Sequence, residues 1–225
     1  MIILHSRKII IFRIPKTGST SLQYSLKDSE IVNNEMDLVN PEIENSTIQS
    51  LHTTPQIAYD AGLITKEMIS TYQMYATVRD PFDRLMSSIG HILRPARVSK
   101  QRTQRLLKAQ GMEGLPKIFR DPQSKWLEIN GCPVVVPIPY PTCNTAYIEI
   151  FAAVSDALKI TPRNFGTRRI ATSDVLPEGS LLHTLISNFY SEDIAIFKKA
   201  LVTDSNTVKK EISANIKLWL DEGKF

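Results

Sequence analysis

The 225-residue chain has little cysteine or histidine and lacks any long apolar run, and each shortage removes a class of function. Its two cysteines, Cys132 and Cys143, lie among prolines. They are either free thiols of a reducing compartment, the reading favoured here, or the two ends of one bridge. Four histidines are scattered as His5, His52, His91 and His183. No pair of Cys or His residues has zinc-site spacing, so no metal is expected. No stretch approaches the roughly 18–20 apolar residues of a membrane span, and the opening Met1–Lys8 is too short for a signal peptide. With Met1 as the natural start, these two absences read as a cytoplasmic protein with no membrane partner. The chain also has no internal repeat and no G-x-x-x-x-G-K-[ST] phosphate loop.

What is present is ordinary in bulk and unusual in two places. A composition of 42% hydrophobic and 22% charged residues fits a globular protein, and the length fits one domain over residues 1–225. Such a chain can bury a core without disulfide staples. The charge is +4 and the isoelectric point about 9.0. This mild basic excess suits an anionic ligand without requiring nucleic acid.

The first unusual place is Lys8–Ser25. Ile9-Ile10-Ile11-Phe12 reads as a buried strand. After Pro15 the residues become Lys16-Thr17-Gly18-Ser19-Thr20-Ser21, and Leu22, Gln23, Tyr24 and Leu26 then follow helical spacing. Strand, glycine turn and helix is the arrangement that aims backbone N–H groups and a positive helix end at an anion. Lys16 adds a cation, and the hydroxyls of Thr17, Ser19, Thr20 and Ser21 add donors. The lysine precedes the glycine, unlike the common phosphate loop. A nucleotide kinase would also need a metal-binding carboxylate at a strand end, and none is evident.

Residues 27–50 read as a polar surface excursion. Thr54 and Pro55 open a short helix, Thr65–Thr71 forms another, and Tyr72–Val78 has the content of a second strand. That strand runs into the second unusual place, Arg79-Asp80-Pro81-Phe82-Asp83-Arg84-Leu85-Met86-Ser87. Asp80 caps a helix with Pro81 at its first position, which leaves Arg79 at the end of the strand and Ser87 two turns into the helix. Arg84 pairs with Asp80 or Asp83 as a structural residue. Residues 94–108 carry Arg94, Arg97, Lys100, Arg102, Arg105 and Lys108 without one acid. The run is either a solvated helical face or a rail for a sulfated or carboxylated acceptor, with Arg94 and Arg97 touching it. Residues 116–130 read as helical in part, around Ser124–Ile129, and Val134-Val135-Val136, hemmed by prolines, suits only an edge strand. Thr145–Leu158 reads as an amphipathic helix. Residues 161–179 form a loop, and helices over Leu181–Leu201, broken near Ser191, and Ser205–Leu220 close the chain.

Strand, anion loop and helix, then strand, arginine and capped helix, is an α/β pattern: one domain with a central parallel sheet flanked by helices. Both corners then lie at the carboxyl edge, where such folds bind ligands.

The order Pro15-Lys16-Thr17-Gly18-Ser19-Thr20-Ser21 resembles the 5′-phosphosulfate loop of sulfotransferases that use 3′-phosphoadenosine 5′-phosphosulfate (PAPS). Arg79-Asp80-Pro81-x-x-Arg84-x-x-Ser87 resembles their 3′-phosphate motif. Leu51-His52-Thr53-Thr54 is similar to a histidine segment of the carbohydrate-sulfotransferase branch. Pro122-Gln123-Ser124-x-Trp126-Leu127 and Phe189-Tyr190-Ser191-Glu192-Asp193-x-x-x-Phe197 resemble weaker patterns of the family. The proline-rich Pro137–Asn144 departs from that branch on the acceptor side.

The resemblance implies a phosphate-loop-type sulfotransferase fold and transfer of a sulfuryl group from PAPS to a hydroxyl, on a glycan, with release of adenosine 3′,5′-bisphosphate (PAP). Lys16, Thr17, Gly18, Ser19, Thr20 and Ser21 would hold the phosphosulfate. Arg79 and Ser87 would hold the 3′-phosphate, and Arg168 and Arg169 would come over the nucleotide from a late loop. Lys16 would balance charge during transfer. His52, or an acid of an unassigned loop, would take the acceptor proton. The rival is a non-catalytic binder of nucleic acid or anionic glycan through residues 94–108. The oligomeric state is open.

Overall fold

The computed structural model describes residues 1–28, 36–38, 52–93, 99–110, 112–151 and 172–225. Its main sheet has five strands in the order β3-β1-β2-β4-β7, where β1 is Ile2–Leu4, β2 Ile9–Phe12, β3 Met36–Leu38, β4 Gln73–Val78 and β7 Val136–Pro139. β5 (Glu128–Ile129) and β6 (Cys132–Pro133) form a separate antiparallel pair.

The expected central parallel sheet is corrected to a mixed one. β2, β4 and β7 run parallel, with Phe12 opposite Ala76 and Val78 opposite Pro139. β1 lies antiparallel to both β2 and β3. The cause is local. Only a 3-10 turn at His5–Arg7 separates β1 from β2, with Lys8 at φ 53 in the left-handed region. So short a connection permits only an antiparallel pair, since a parallel one needs a long crossover.

Helices begin where capping residues stand. α1 spans Ser19–Asp28, α2 Pro55–Asp60, α3 Lys66–Thr71 and α4 Pro81–Ile92. The Thr54 hydroxyl accepts from the Ile57 N–H at 3.3 Å, Thr65 from Met68 at 3.2 Å and Asp80 from Asp83 at 3.0 Å. Each cap of this kind contributes about 1 kcal/mol. Then follow α5 (Lys100–Gln110), α6 (Lys117–Arg120), α7 (Cys143–Phe151), α8 (Thr172–Val175), α9 (Leu181–Phe189), α10 (Ser191–Val202) and α11 (Ser205–Asp221).

Of residues 116–130, expected to be helical in part, Lys117–Arg120 is helical as α6, while around Ser124–Ile129 a 3-10 turn over Gln123–Trp126 runs into β5. The edge strand falls two residues later than its valines suggested. The strand expected within the polar excursion was none, yet β3 lies there. The amphipathic helix begins at Cys143, and its expected end lies outside the described residues, as does most of the loop at 161–179.

One buried cluster covers both sheet faces, joining Ile10, Phe12, Met74, Ala76 and Ile138 to Trp126, Tyr147, Phe197 and Ile212. A second joins Leu85 and Ile89 of α4 to Leu107, Leu115, Val175, Ile186 and Tyr190. α4 is thus anchored along its apolar side, which fixes the corner at Arg79. Cys132 and Cys143 are buried free thiols. Burial pushes Cys132 up to about 11 and raises Cys143 too, so neither is a reactive thiolate near neutral pH. No helix among the described residues is long and apolar enough to cross a membrane.

Candidate active site

The carboxyl ends of the three parallel strands bring the two unusual stretches together. β2 runs through Arg13 and Ile14 into the turn Pro15–Gly18, and α1 starts at once. Lys16 (φ 67) and Gly18 (φ 85) both take the left-handed conformation. Glycine adopts it freely, whereas at a lysine it costs about 1 kcal/mol, so the strained turn is held by its surroundings. Thr17 Oγ1 donates to the Ile14 carbonyl at 2.9 Å. The Gly18 carbonyl accepts from Ser21 and Leu22 at 3.0 and 3.3 Å. Ser19 and Thr20 open α1, and the first N–H groups of a helix lack acceptors within it and suit an anion. Thr17 and Ser19 are buried, while Lys16, Thr20 and Ser21 are half-exposed and Gly18 is exposed.

Arg79 follows β4 directly and reaches the loop. Its Nη1 donates to the Lys16 carbonyl at 3.2 Å across 63 residues. Tyr140, at the end of β7, completes the group. Its ring lies 4.8 Å from the Arg79 guanidinium carbon, and a Cβ placed on Gly18 would stand 2.9 Å from its Cε2 atom. A side chain at position 18 would therefore meet both a strained backbone and an aromatic ring. Ser87 is half-buried on α4.

The backbone of Arg79 is clipped on both sides by one side chain. Its N–H donates to Gln123 Oε1 at 2.9 Å, and Gln123 Nε2 donates to its carbonyl at 2.8 Å. Gln123 is held in turn by Asp193, whose carboxylate accepts from the Gln123 and Ser124 N–H groups at 2.8 and 3.1 Å. Asp193 is fully buried. Burial raises its carboxyl above the ordinary range, and the two N–H donors with Arg84 pull it back.

Arg84 does not pair with Asp80 or Asp83 as its helical spacing suggested. It is 1% exposed and acts as a strut, with Nε donating to the Pro15 carbonyl at 3.3 Å and Nη2 to the Asp121 carbonyl at 2.8 Å. Its Nη1 stands 3.9 Å from Asp193, an ion pair too long for a hydrogen bond. The two weaker sequence patterns, Pro122–Leu127 and Phe189–Phe197, are thus the two halves of one contact behind the arginine corner.

His52 lies at the root of the loop. Its Nδ1 is 2.5 Å from the Arg13 carbonyl, which can only accept, so Nδ1 carries the proton and Nε2 a lone pair. The His52 carbonyl accepts from Trp126 Nε1 at 3.0 Å, which fixes the segment. Burial lowers the imidazole to about 4; the hydrogen bond to Arg13 opposes this, and the Arg13 and Lys16 charges reinforce it. In the unfolded chain the ordinary value is 6.5. Stability held by the neutral ring is then fully present above pH 6.5 and lost as the pH falls toward 4, by up to about 3 kcal/mol. The thermal midpoint is expected to fall across that window. It should fall less in His52→Asn, whose amide still donates to the carbonyl but does not titrate. Equal losses would remove His52 as the cause.

Of the basic run, Arg102, Arg105 and Lys108 lie exposed on α5 while Thr103 and Leu107 face inward, the pattern of a solvated helical face. Arg94, Arg97, Arg168 and Arg169 lie outside the described residues. No group of side chains that could hold a metal ion occurs among the described residues. A cleft of about 350 Å³ opens at the other end of β4 and β7, between Met74, Val136, Ile212 and Ile216, apart from the loop. The sequence reading missed three contributors: Tyr140, in a segment noted only for its prolines; the Gln123–Asp193 clip, formed across 70 residues; and Arg13, a lone cation in an apolar run.

Residues 1–123, more than half of the chain, match the model of the sulfotransferase family, and the chain belongs to that family. The matched stretch contains the loop, His52 and the arginine corner, while Tyr140 and Asp193 lie beyond it. The match is to the family at large and does not single out its carbohydrate branch. No curated protein and no solved structure matches the chain significantly.

Proposed function

We propose that the chain, acting as one domain, transfers a sulfuryl group from PAPS to a hydroxyl of a carbohydrate acceptor and releases PAP. The observation that carries this reading is the contact between Arg79 and the Lys16 carbonyl, which sets two anion-gripping elements side by side at one sheet edge. The residues fit such a donor. The turn and first N–H groups of α1, with Thr17, Ser19, Thr20 and Ser21, suit its phosphosulfate. Arg79 offers a guanidinium fork for the 3′-phosphate, with Ser87 on the adjoining helix.

The donor supplies an activated sulfuryl group, and by analogy with phosphoryl transfer catalysis rests on positioning and charge placement. Lys16 stands at the loop to balance charge growing on the leaving oxygen. His52 keeps its proton on Nδ1 and presents Nε2 to the acceptor hydroxyl.

Calorimetric titration with PAP, adenosine 5′-monophosphate and ATP tests the donor assignment. PAP is expected to bind at least about tenfold more tightly than the monophosphate, about 1.4 kcal/mol for the 3′-phosphate contact. Equal affinities would overturn it.

A further inference from the structure

Arg13 has no role in that reading, and its surroundings are odd. It lies between the end of β2 and the loop, 4% exposed. Its Nε and Nη1 atoms are buried and meet no acceptor among the described residues. Around it stand further cations and neutral groups. Its carbonyl holds His52, Tyr24 of α1 lies within electrostatic reach, and Lys16 acts on the same imidazole. Among the described residues it has no carboxylate partner, and a buried guanidinium short of hydrogen bonds is strongly unfavourable unless something completes it. Neither the loop nor the α4 corner needs it, because each has its own N–H groups or its own arginine.

We infer that Arg13 anchors an anion subsite for the acceptor: a carboxylate or sulfate already carried by the molecule that presents its hydroxyl to His52. This rests on the sulfotransferase reading and narrows it to acceptors that are anionic before transfer. The position favours acceptor over donor. Arg79 and Tyr140 approach the loop from the ends of β4 and β7, whereas Arg13 directly follows β2 and its carbonyl accepts from the His52 ring. An anion there accepts charge-assisted hydrogen bonds from nitrogens that otherwise have none. It also offsets the positive charge that bears on His52, which favours proton uptake by the imidazole.

The test uses the full chain saturated with PAP, so that the donor positions are filled. Sodium sulfate and, separately, sodium glucuronate are titrated in, with sodium chloride at matched ionic strength as control. Binding is read by calorimetry and by the ¹⁵N–H signal of the Arg13 side chain. The expected result is saturable binding of one anion per chain that moves the Arg13 signal. It should weaken at least tenfold in Arg13→Gln and be largely kept in Arg13→Lys, with PAP affinity unchanged in both.

No saturable binding in the wild type, or equal binding in Arg13→Gln, overturns the subsite. Binding that PAP abolishes assigns Arg13 to the donor and overturns the acceptor role. A wild-type chain that does not bind PAP overturns the donor reading and this inference with it. If Arg13→Gln does not fold, the wild-type Arg13 signal and the Arg13→Lys titration decide.

Discussion

Replacing Lys16 by methionine is expected to lower the turnover number by about 10²–10³-fold while PAP binding weakens less than about tenfold. The split follows from what the rest of the loop keeps. The N–H groups of α1, the hydroxyls and Arg79 are untouched, so most of the grip on the bound nucleotide survives. Only charge growing during transfer loses its counter-ion. Methionine preserves the length and the backbone conformation is already imposed at φ 67, so the fold is expected to hold. Single-turnover rates with PAPS, beside PAP titration of the same preparation, make the check. Equal losses in rate and affinity would make Lys16 a binding residue only, and an unchanged rate would remove it from the chemistry.

The second large effect lies out of contact with the reacting atoms. Asp193→Ala is expected to reduce unfolding free energy by about 3–5 kcal/mol, because it strands the Arg84 guanidinium and two backbone N–H groups in a buried setting. Asp193→Asn leaves one acceptor oxygen and falls between. The damage runs forward along the chain of bonds: Asp193 fixes Gln123, and Gln123 fixes both backbone groups of Arg79. In Asp193→Asn the preference for PAP over adenosine 5′-monophosphate is therefore expected to shrink together with stability. Urea unfolding at pH 7 and paired titrations measure the two. A loss below 1 kcal/mol would mean that water replaces the carboxylate.

The parts of this fold that were legible in the sequence are those set by local chemistry. Thr54, Thr65 and Asp80 announce their helices because a cap is made within three residues. The apolar run Ile9–Phe12 and the loop after it are read from composition alone. The mixed sheet was hidden because β1 is three residues long and turns back through His5–Arg7 without glycine or asparagine to mark the turn. The edge strand slid from Val134 to Val136 because pairing with β4, not valine content, sets its register.

Within the site, Lys16 and Arg79 carry their own signals. Helical spacing points Arg84 to Asp80 and Asp83, whereas tertiary packing offers it the Pro15 and Asp121 carbonyls. Asp193 and Gln123 were visible as patterns, but nothing within either pattern tells that one ends on the other. Arg13 was the most readable omission, a charge inside IIIFRIP with no acid near it in sequence.

The prolines of β7 bear on how copies of the chain meet. Among the described residues β7 is the last strand of the sheet and pairs only with β4. Pro137 and Pro139 sit two residues apart and direct the same backbone position outward. Neither has an N–H, so the open side of the strand offers carbonyls without the alternating donors that an incoming strand requires. A free sheet margin is ordinarily a template for runaway self-association, and here the template is blank. The margin next to Tyr140 is thus closed to added strands, and any contact between copies must use another part of the surface.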